Sequence, residues 1–216
     1  TTITGVSVTS DGLVTNTLGT SNFVVGVNAG NSITSGGNYN VAVGDEAGTA
    51  ITTGDNNTFV GYTAGDATTT AGNNTAVGYK ALTANTTGNE NTSLGFQALR
   101  DSTTATGNTA VGINSLALNT TGGDNVAVGR DALISNTTAS NNTAVGKSAL
   151  TSNTTGASNS ALGQNALAAN TTGTGNTASG KDALDANTTG DYNVGLGYLA
   201  LSSNTTADDN TAVGTS

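Results

Sequence analysis

The side chains that most often perform catalysis are scarce in this chain of 216 residues. His and Cys are absent, so the common nucleophile and base arrangements cannot form, and no Ser has a recognisable activating partner. The acidic residues Asp124, Asp191, Asp208 and Asp209 fall where similar segments of the chain carry Asn, Gly, Ser or Thr. Solvated corners explain them better than an acid and base pair does. The sequence therefore predicts a protein that is not an enzyme and has no cofactor.

Two groups of oxygen-bearing side chains could hold calcium, which prefers hard oxygen ligands. They are Asp208-Asp209-Asn210 and Gly123-Asp124-Asn125. Neither follows the EF-hand spacing or a glycine-rich nonapeptide pattern, so we expect no metal site. The recurring Asn-Thr-Thr matches the glycosylation acceptor pattern, but turn chemistry accounts for it in a chain so rich in Asn and Thr.

Aromatic and cationic side chains are the remaining candidates for contact with a partner. Tyr79, Phe96, Arg130 and Tyr198 occupy variable places in an otherwise regular sequence. A repeated weak contact with a host-surface glycan or protein could gain strength through multivalency. The alternative is that these residues form an ordinary exposed ridge.

A 17-residue unit dictates how all these residues are positioned. Asn recurs every 17 residues from Asn40 to Asn210 without an insertion or deletion, giving ten complete copies and the start of an eleventh. We number each copy from its Asn as positions 1 to 17. Asn and Gly occupy positions 1 and 5 in every copy, and Thr-Thr occupies positions 13 and 14 in all ten complete copies. Such a period indicates units stacked on one another.

The predicted fold is all-β, a parallel β-solenoid (β-roll) with 17-residue coils. Positions 1 to 4 are strand-like, and the Gly at position 5 ends the strand with a positive φ. Positions 6 to 11 are compatible with a second strand or a helical turn. We expect ladders of identical side chains along the stack, represented by Asn74, Gly78, Asn142 and Gly146.

The alternation within the strand predicts which side chains face inward. Position 2 becomes Val in Val41, Val126 and Val194, which suggests that its side is the apolar interior. Position 3 stays small, and we expect residues such as Ala144 to lie nearer to partner chains than Val145. The resulting assembly would be an intertwined or side-by-side homotrimer, although Ala144 could simply be a tolerated exposed residue.

Charge and hydropathy narrow the partners further. The net charge is −9 and only five residues are cationic, whereas nucleic-acid binding needs clustered cations. No apolar run is long enough to cross a bilayer. The sequence predicts no nucleic-acid partner and no insertion into a membrane.

Asn-Thr-Ala-Val-Gly with a small residue three places later resembles the head repeats of trimeric autotransporter adhesins, which are parallel β-rolls joined as trimers. The string from Gly78 to Gly88, GYKALTANTTG, is similar to repeats of phage and bacterial tail-fibre-like proteins. The unit is longer than the usual autotransporter repeat, and no anchoring residue is carried over. The resemblance implies an extracellular place on a virion or a bacterial cell surface.

The expected organisation has three parts. Residues 1–21 form N-terminal cap or junction strands around Asp11-Gly12, residues 22–39 a degenerate first coil, and residues 40–216 the regular coils. The expected function is a structural segment of a fibre, with a direct carbohydrate adhesin as the alternative. Ice binding is less favoured, because adjacent Thr residues at positions 13 and 14 should face opposite sides of a strand and leave one outward column.

Overall fold

The computed structural model describes residues 6–9, 12–15 and 17–215. Strands β1 (Val6–Thr9) and β2 (Gly12–Thr15) pair antiparallel as a hairpin. The two short strands predicted near the N-terminus are therefore present, while Asp11 lies outside the described residues.

The remaining strands form one parallel sheet of 12 strands, in which each strand pairs with the next strand along the chain. The register matches position with position, so that Thr143, Ala144 and Val145 lie beside Ser160, Ala161 and Leu162. This confirms a parallel β-solenoid with one coil per unit. The strands are β3 (Phe23–Val25), β4 (Val41–Val43), β5 (Thr58–Val60), β6 (Thr75–Val77), β7 (Thr92–Leu94), β8 (Thr109–Val111), β9 (Val126–Val128), β10 (Thr143–Val145), β11 (Ser160–Leu162), β12 (Thr177–Ser179), β13 (Val194–Leu196) and β14 (Thr211–Val213).

Each strand ends at the Gly of position 5, as predicted. Gly146 has a φ of 138°, a conformation that side-chain-bearing residues rarely adopt. A Cβ at Gly146 would also overlap the backbone carbonyl of Gly163 in the next coil. Glycine is required here by its backbone conformation and by the close approach of neighbouring coils.

The segment from position 6 to position 11 is a run of turns, neither of the two forms considered from sequence. Positions 7 and 9 have left-handed backbones, as in Lys80 (φ 53°) and Leu82 (φ 55°). The N–H of Lys80 donates to Tyr62 O of the preceding coil, and the N–H of Leu82 donates to Ala98 O of the following coil, both at 3.0 Å. The left-handed residues thus keep the turn hydrogen-bonded to the coils on both sides.

The interior lies on the opposite side of the strand from the one predicted. Position 3 points inward, so Ala144 is 0% exposed, while Thr143 and Val145 face outward. The prediction that Ala144 approaches partner chains was therefore wrong. Position 3 packs against positions 8 and 9 across a narrow interior: a Cβ on Gly195, at position 3, would lie 3.0 Å from Ala200 O. Ala is small because the opposing wall is close.

One coil uses a different packing solution. Phe59 occupies position 3 and is 0% exposed, whereas Gly48 and Gly65 stand at position 9, where later coils carry Leu. A Cβ on Gly65 would lie 2.6 Å from the Phe59 ring. The Phe59 ring fills the space that Leu side chains fill in the later coils.

Two columns of buried Asn side chains run along the stack. At position 1, Asn142 N donates to Asn125 Oδ1 at 3.0 Å, and Asn142 Nδ2 donates to Gly156 O at 2.9 Å. This confirms the ladder predicted for Asn142. A second ladder at position 12 was not predicted, and in it Asn153 Nδ2 donates to Asn136 Oδ1 at 3.0 Å.

Candidate interaction surfaces

The outward side chains of positions 2 and 4 form a surface that we call the strand face. Position 2 carries Thr, Val, Ser or Phe, and position 4 carries Val or Leu in all coils except that of Ser179. Several position 4 side chains are well exposed, including Leu94 at 47%, Leu162 at 55% and Val25 at 48%. Neither column contains a charged residue between Phe23 and Val213. Position 4 is thus an apolar column interrupted once, beside a position 2 column that is Thr or Ser in eight of twelve coils, and exposed apolar surface of this kind often marks an interaction site.

The four contact residues predicted from sequence all lie at position 6, at one edge of the strand face. Tyr79 and Phe96 belong to neighbouring coils, and their ring centroids are 5.1 Å apart. Arg130 is two coils further on, and Tyr198 lies four coils beyond Arg130, roughly 19 Å away at about 4.8 Å per coil. The structure therefore places the four on one line and brings only Tyr79 and Phe96 together.

Sequence reasoning missed Tyr62 as the third member of this aromatic group. The rings of Tyr62 and Tyr79 are 5.6 Å apart and 15° from parallel, and Tyr79 and Phe96 are 11° from parallel. All three side chains are exposed, at 47%, 41% and 46% respectively. Tyr79 therefore has a ring stacked on each side, while Tyr62 and Phe96 each stack on one ring only. The 17-residue spacing of the three residues was the signal that could have identified the stack.

The cationic side chains near this line are mostly paired with adjacent carboxylates. Lys181 Nζ lies 2.8 Å from Asp182 Oδ2, and Arg130 Nε lies 3.1 Å from Asp131 Oδ2. The pKa of Asp182 is lowered because Lys181 and Asn165 donate hydrogen bonds to its carboxylate. Burial raises the pKa of Asp185, and the nearby charge of Asp182 raises it further. These pairs balance charge within a coil and leave no cluster of free cations along the line.

Of the acidic side chains considered for calcium, Asp208 has a hydrogen-bond partner in the protein. Asp208 Oδ1 accepts a hydrogen bond from the N–H of Asp191 at 2.8 Å. Asp124 lies at position 17 with a left-handed backbone, φ 56°. Among residues 6–9, 12–15 and 17–215, no group of three or more His, Cys, Asp or Glu residues is arranged to hold a metal ion. The described part of the chain also contains no helix with the length and hydropathy needed to cross a membrane.

The Thr residues at positions 13 and 14 both lie on the outside, which corrects the expectation that they face opposite sides. The chain bends at these positions, and the interior is occupied by positions 12 and 15 on either side, as with Asn153 and Gly156. Thr154 is half-buried and Thr155 is exposed. We call the two outward columns of positions 13 and 14 the threonine ribbon.

Comparison with known proteins adds no relative to this picture. No family model, no curated protein and no solved structure matches this chain.

Proposed function

We propose that this chain is a rigid structural segment of an extracellular fibre and that it assembles as a parallel homotrimer through the strand face. The observation that carries the proposal is the uncharged, largely apolar strip formed by positions 2 and 4. Its regular register suits a second copy, because each coil can meet the same coil of a parallel partner.

The number of copies and the location come from the sequence resemblance. The repeats are similar to those of tail-fibre-like proteins and trimeric adhesin heads, which favours three chains and a place on a virion or bacterial surface. Ten nearly equivalent coils also suit a spacer better than a specific pocket, which needs a few convergent polar groups at one place. In this assembly the partner chains contact positions 2 and 4. The sequence had predicted that they would contact position 3.

Light scattering on the isolated protein tests the assembly. We expect a mass of three times the 20.8 kDa chain. Leu162→Glu, on the strand face, should lower the mass, because it would bury a carboxylate without a partner. Ser158→Glu is the matched control, since position 17 is exposed and carries Glu90 in another coil. A monomeric wild-type protein, or a Leu162→Glu variant that keeps the wild-type mass, would overturn the proposal.

A direct carbohydrate adhesin is the second candidate, favoured by the exposed aromatic stack. Sugar rings bind by lying against an aromatic face, and the three rings of this stack are all partly exposed. On a glycan array we expect saturable binding that is lost when Tyr79, Phe96, Arg130 and Tyr198 are all replaced by Ser. Phe96→Ser alone should weaken binding more than Tyr198→Ser, because Tyr198 stacks on no other ring among the described residues. If the wild-type trimer bound no glycan, the adhesin proposal would be excluded and the fibre segment would be the one remaining function.

A further inference from the structure

The structure gives a reason for nearly every invariant position of the unit except one. Asn at position 1 forms the buried ladder, and Gly at position 5 adopts a positive φ. Thr at position 13 donates its hydroxyl to the carbonyl of the same Thr in the next coil, at 2.9 to 3.2 Å along nine successive coils. Only the Thr at position 14 lacks such a role.

Position 14 is exposed in all ten complete coils. Within residues 17–215, the hydroxyls of this column make no hydrogen bond to the protein, unlike those of the neighbouring column. An exposed residue whose side chain bonds to nothing is normally free to vary, as positions 16 and 17 do. The column is Thr53, Thr70, Thr87, Thr104, Thr121, Thr138, Thr155, Thr172, Thr189 and Thr206.

The backbone beneath the threonine ribbon is hydrogen-bonded from coil to coil, which fixes the position of each Thr relative to the next. Thr154 N donates to Thr171 O at 2.9 Å, and Thr171 N donates to Thr188 O at 2.8 Å. The hydroxyl of Thr154 donates to the same carbonyl as its N–H. Nine steps of about 4.8 Å give the ribbon a length of roughly 43 Å. The side chains are thus held at a fixed spacing before any ligand arrives.

A ligand that contacts the threonine ribbon at every coil must itself repeat at nearly the spacing of the coils. The ribbon has no aromatic and no charged side chain, so it lacks the groups that orient a single sugar or an ionic partner. A second copy of the chain finds a better match on the apolar strand face. The oxygen rows of hexagonal ice repeat at a spacing close to that of the coils. Each position 14 Thr is exposed and carries a methyl group and a hydroxyl that makes no hydrogen bond within residues 17–215.

We propose that the threonine ribbon binds the surface of ice. Each contact is weak. Ten Thr side chains that the fold already holds at this spacing can bind together with little further loss of conformational entropy. The proposal uses a part of the coil other than the strand face, so a fibre segment could carry this activity while assembled.

The test measures thermal hysteresis and the growth of ice grains with the intact protein. The ribbon variant combines Thr138→Lys, Thr155→Lys and Thr172→Lys, which place three charged, bulky side chains on the ribbon. The control combines Asn73→Lys, Asn141→Lys and Ser158→Lys at position 17, which is exposed in all three coils and left-handed. Circular dichroism and light scattering measure whether each variant keeps the wild-type fold and mass.

We expect the wild-type protein and the control to suppress grain growth and the ribbon variant to lose this effect. A wild-type protein without effect on ice would overturn the proposal, as would a folded ribbon variant as active as the wild type. If the ribbon variant were folded but changed in mass, the ribbon would be a contact between chains, and the ice proposal would also be overturned. Because the mass of the wild-type protein is measured separately, failure on ice leaves the fibre assignment intact.

Discussion

At the scale of single residues, the conformation of each coil depends on positions that accept only one size of side chain. Gly146 combines a φ of 138° with a neighbouring carbonyl that a Cβ would overlap. Phe59 and Gly65 show the opposite case, in which a large side chain at one position is matched by the loss of one at another. Both situations lead to measurable effects on stability.

Gly146→Ala should lower the free energy of unfolding by about 1 to 3 kcal/mol through backbone strain, with further loss from the overlap with Gly163. Gly123→Ala is the control, because Gly123 has no positive φ and another coil carries Ala157 at the same position. Chemical denaturation followed by circular dichroism would measure both. Equal effects of the two substitutions would contradict this account of position 5.

Phe59→Ala should destabilise the protein by about 3 to 5 kcal/mol, because it leaves a cavity in the core. Gly65→Leu alone should also destabilise it, since its Cβ would already lie 2.6 Å from the Phe59 ring. The double variant recreates the Ala and Leu pair of later coils, such as Ala76 and Leu82, and should be more stable than the sum of the single effects predicts. Additive effects would show that the two sites do not share one space.

At the scale of elements, the buried Asn ladder of position 12 has a break at Ser102. Ser102 is 0% exposed, and its hydroxyl makes no hydrogen bond among the described residues. Asn85 and Asn119 stand at the same position in the two flanking coils. The ladder therefore lacks one member between them.

Ser102→Asn should raise the stability, with a gain of about 1 kcal/mol for each new hydrogen bond. By analogy with Asn136, its Nδ2 would donate to Asn85 Oδ1 and Ala105 O, and its Oδ1 would accept from Asn119. Asn89→Ser, at a half-buried corner, is a control outside the ladder. A lower melting temperature for Ser102→Asn would show that the site lacks room for an amide.

Sequence reasoning identified the coil length, the strand and the position 5 Gly, because each follows from a strict period or from a residue with one physical use. It did not identify the inward side of the strand, since Ala144 is compatible with a narrow core as well as with an exposed face. The clue to the interior was Phe59 at position 3, because its own coil carries Gly65 at position 9 where later coils carry Leu. The position 12 ladder was missed because Asn-Thr-Thr-Gly is also a turn signature, and the bend that places Thr154 and Thr155 outward was missed for the same reason.

At the scale of the whole molecule, the stability is distributed over coils that contact mainly their neighbours. Deleting residues 142–158 would place Asn159 on Asn125 and Leu167 on Leu133, which preserves both ladder and core. We expect this variant to fold with the same circular dichroism per residue and with a modest loss of stability, as in other stacked-repeat proteins. Deleting residues 143–158 instead leaves a coil of 18 residues, as in residues 22–39, and should cost more stability, because its extra residue must bulge out of the stack. If both deletions behaved alike, the coil register would not control the fold.

The inter-coil hydrogen bonds also determine how the molecule would respond to force. They run along the long axis, as when Thr143 N donates to Asn159 O and Val126 N donates to Asn142 O, both at 2.8 Å. Tension on the two chain ends should therefore detach the C-terminal coil early, because that coil is hydrogen-bonded to a neighbour on one side only. Each detachment would release 17 residues, a lengthening of about 55 Å from an extended chain of roughly 3.5 Å per residue less one coil step. Stretched as a single chain, the solenoid would extend in equal steps, and each step would dissipate mechanical energy by unfolding one coil.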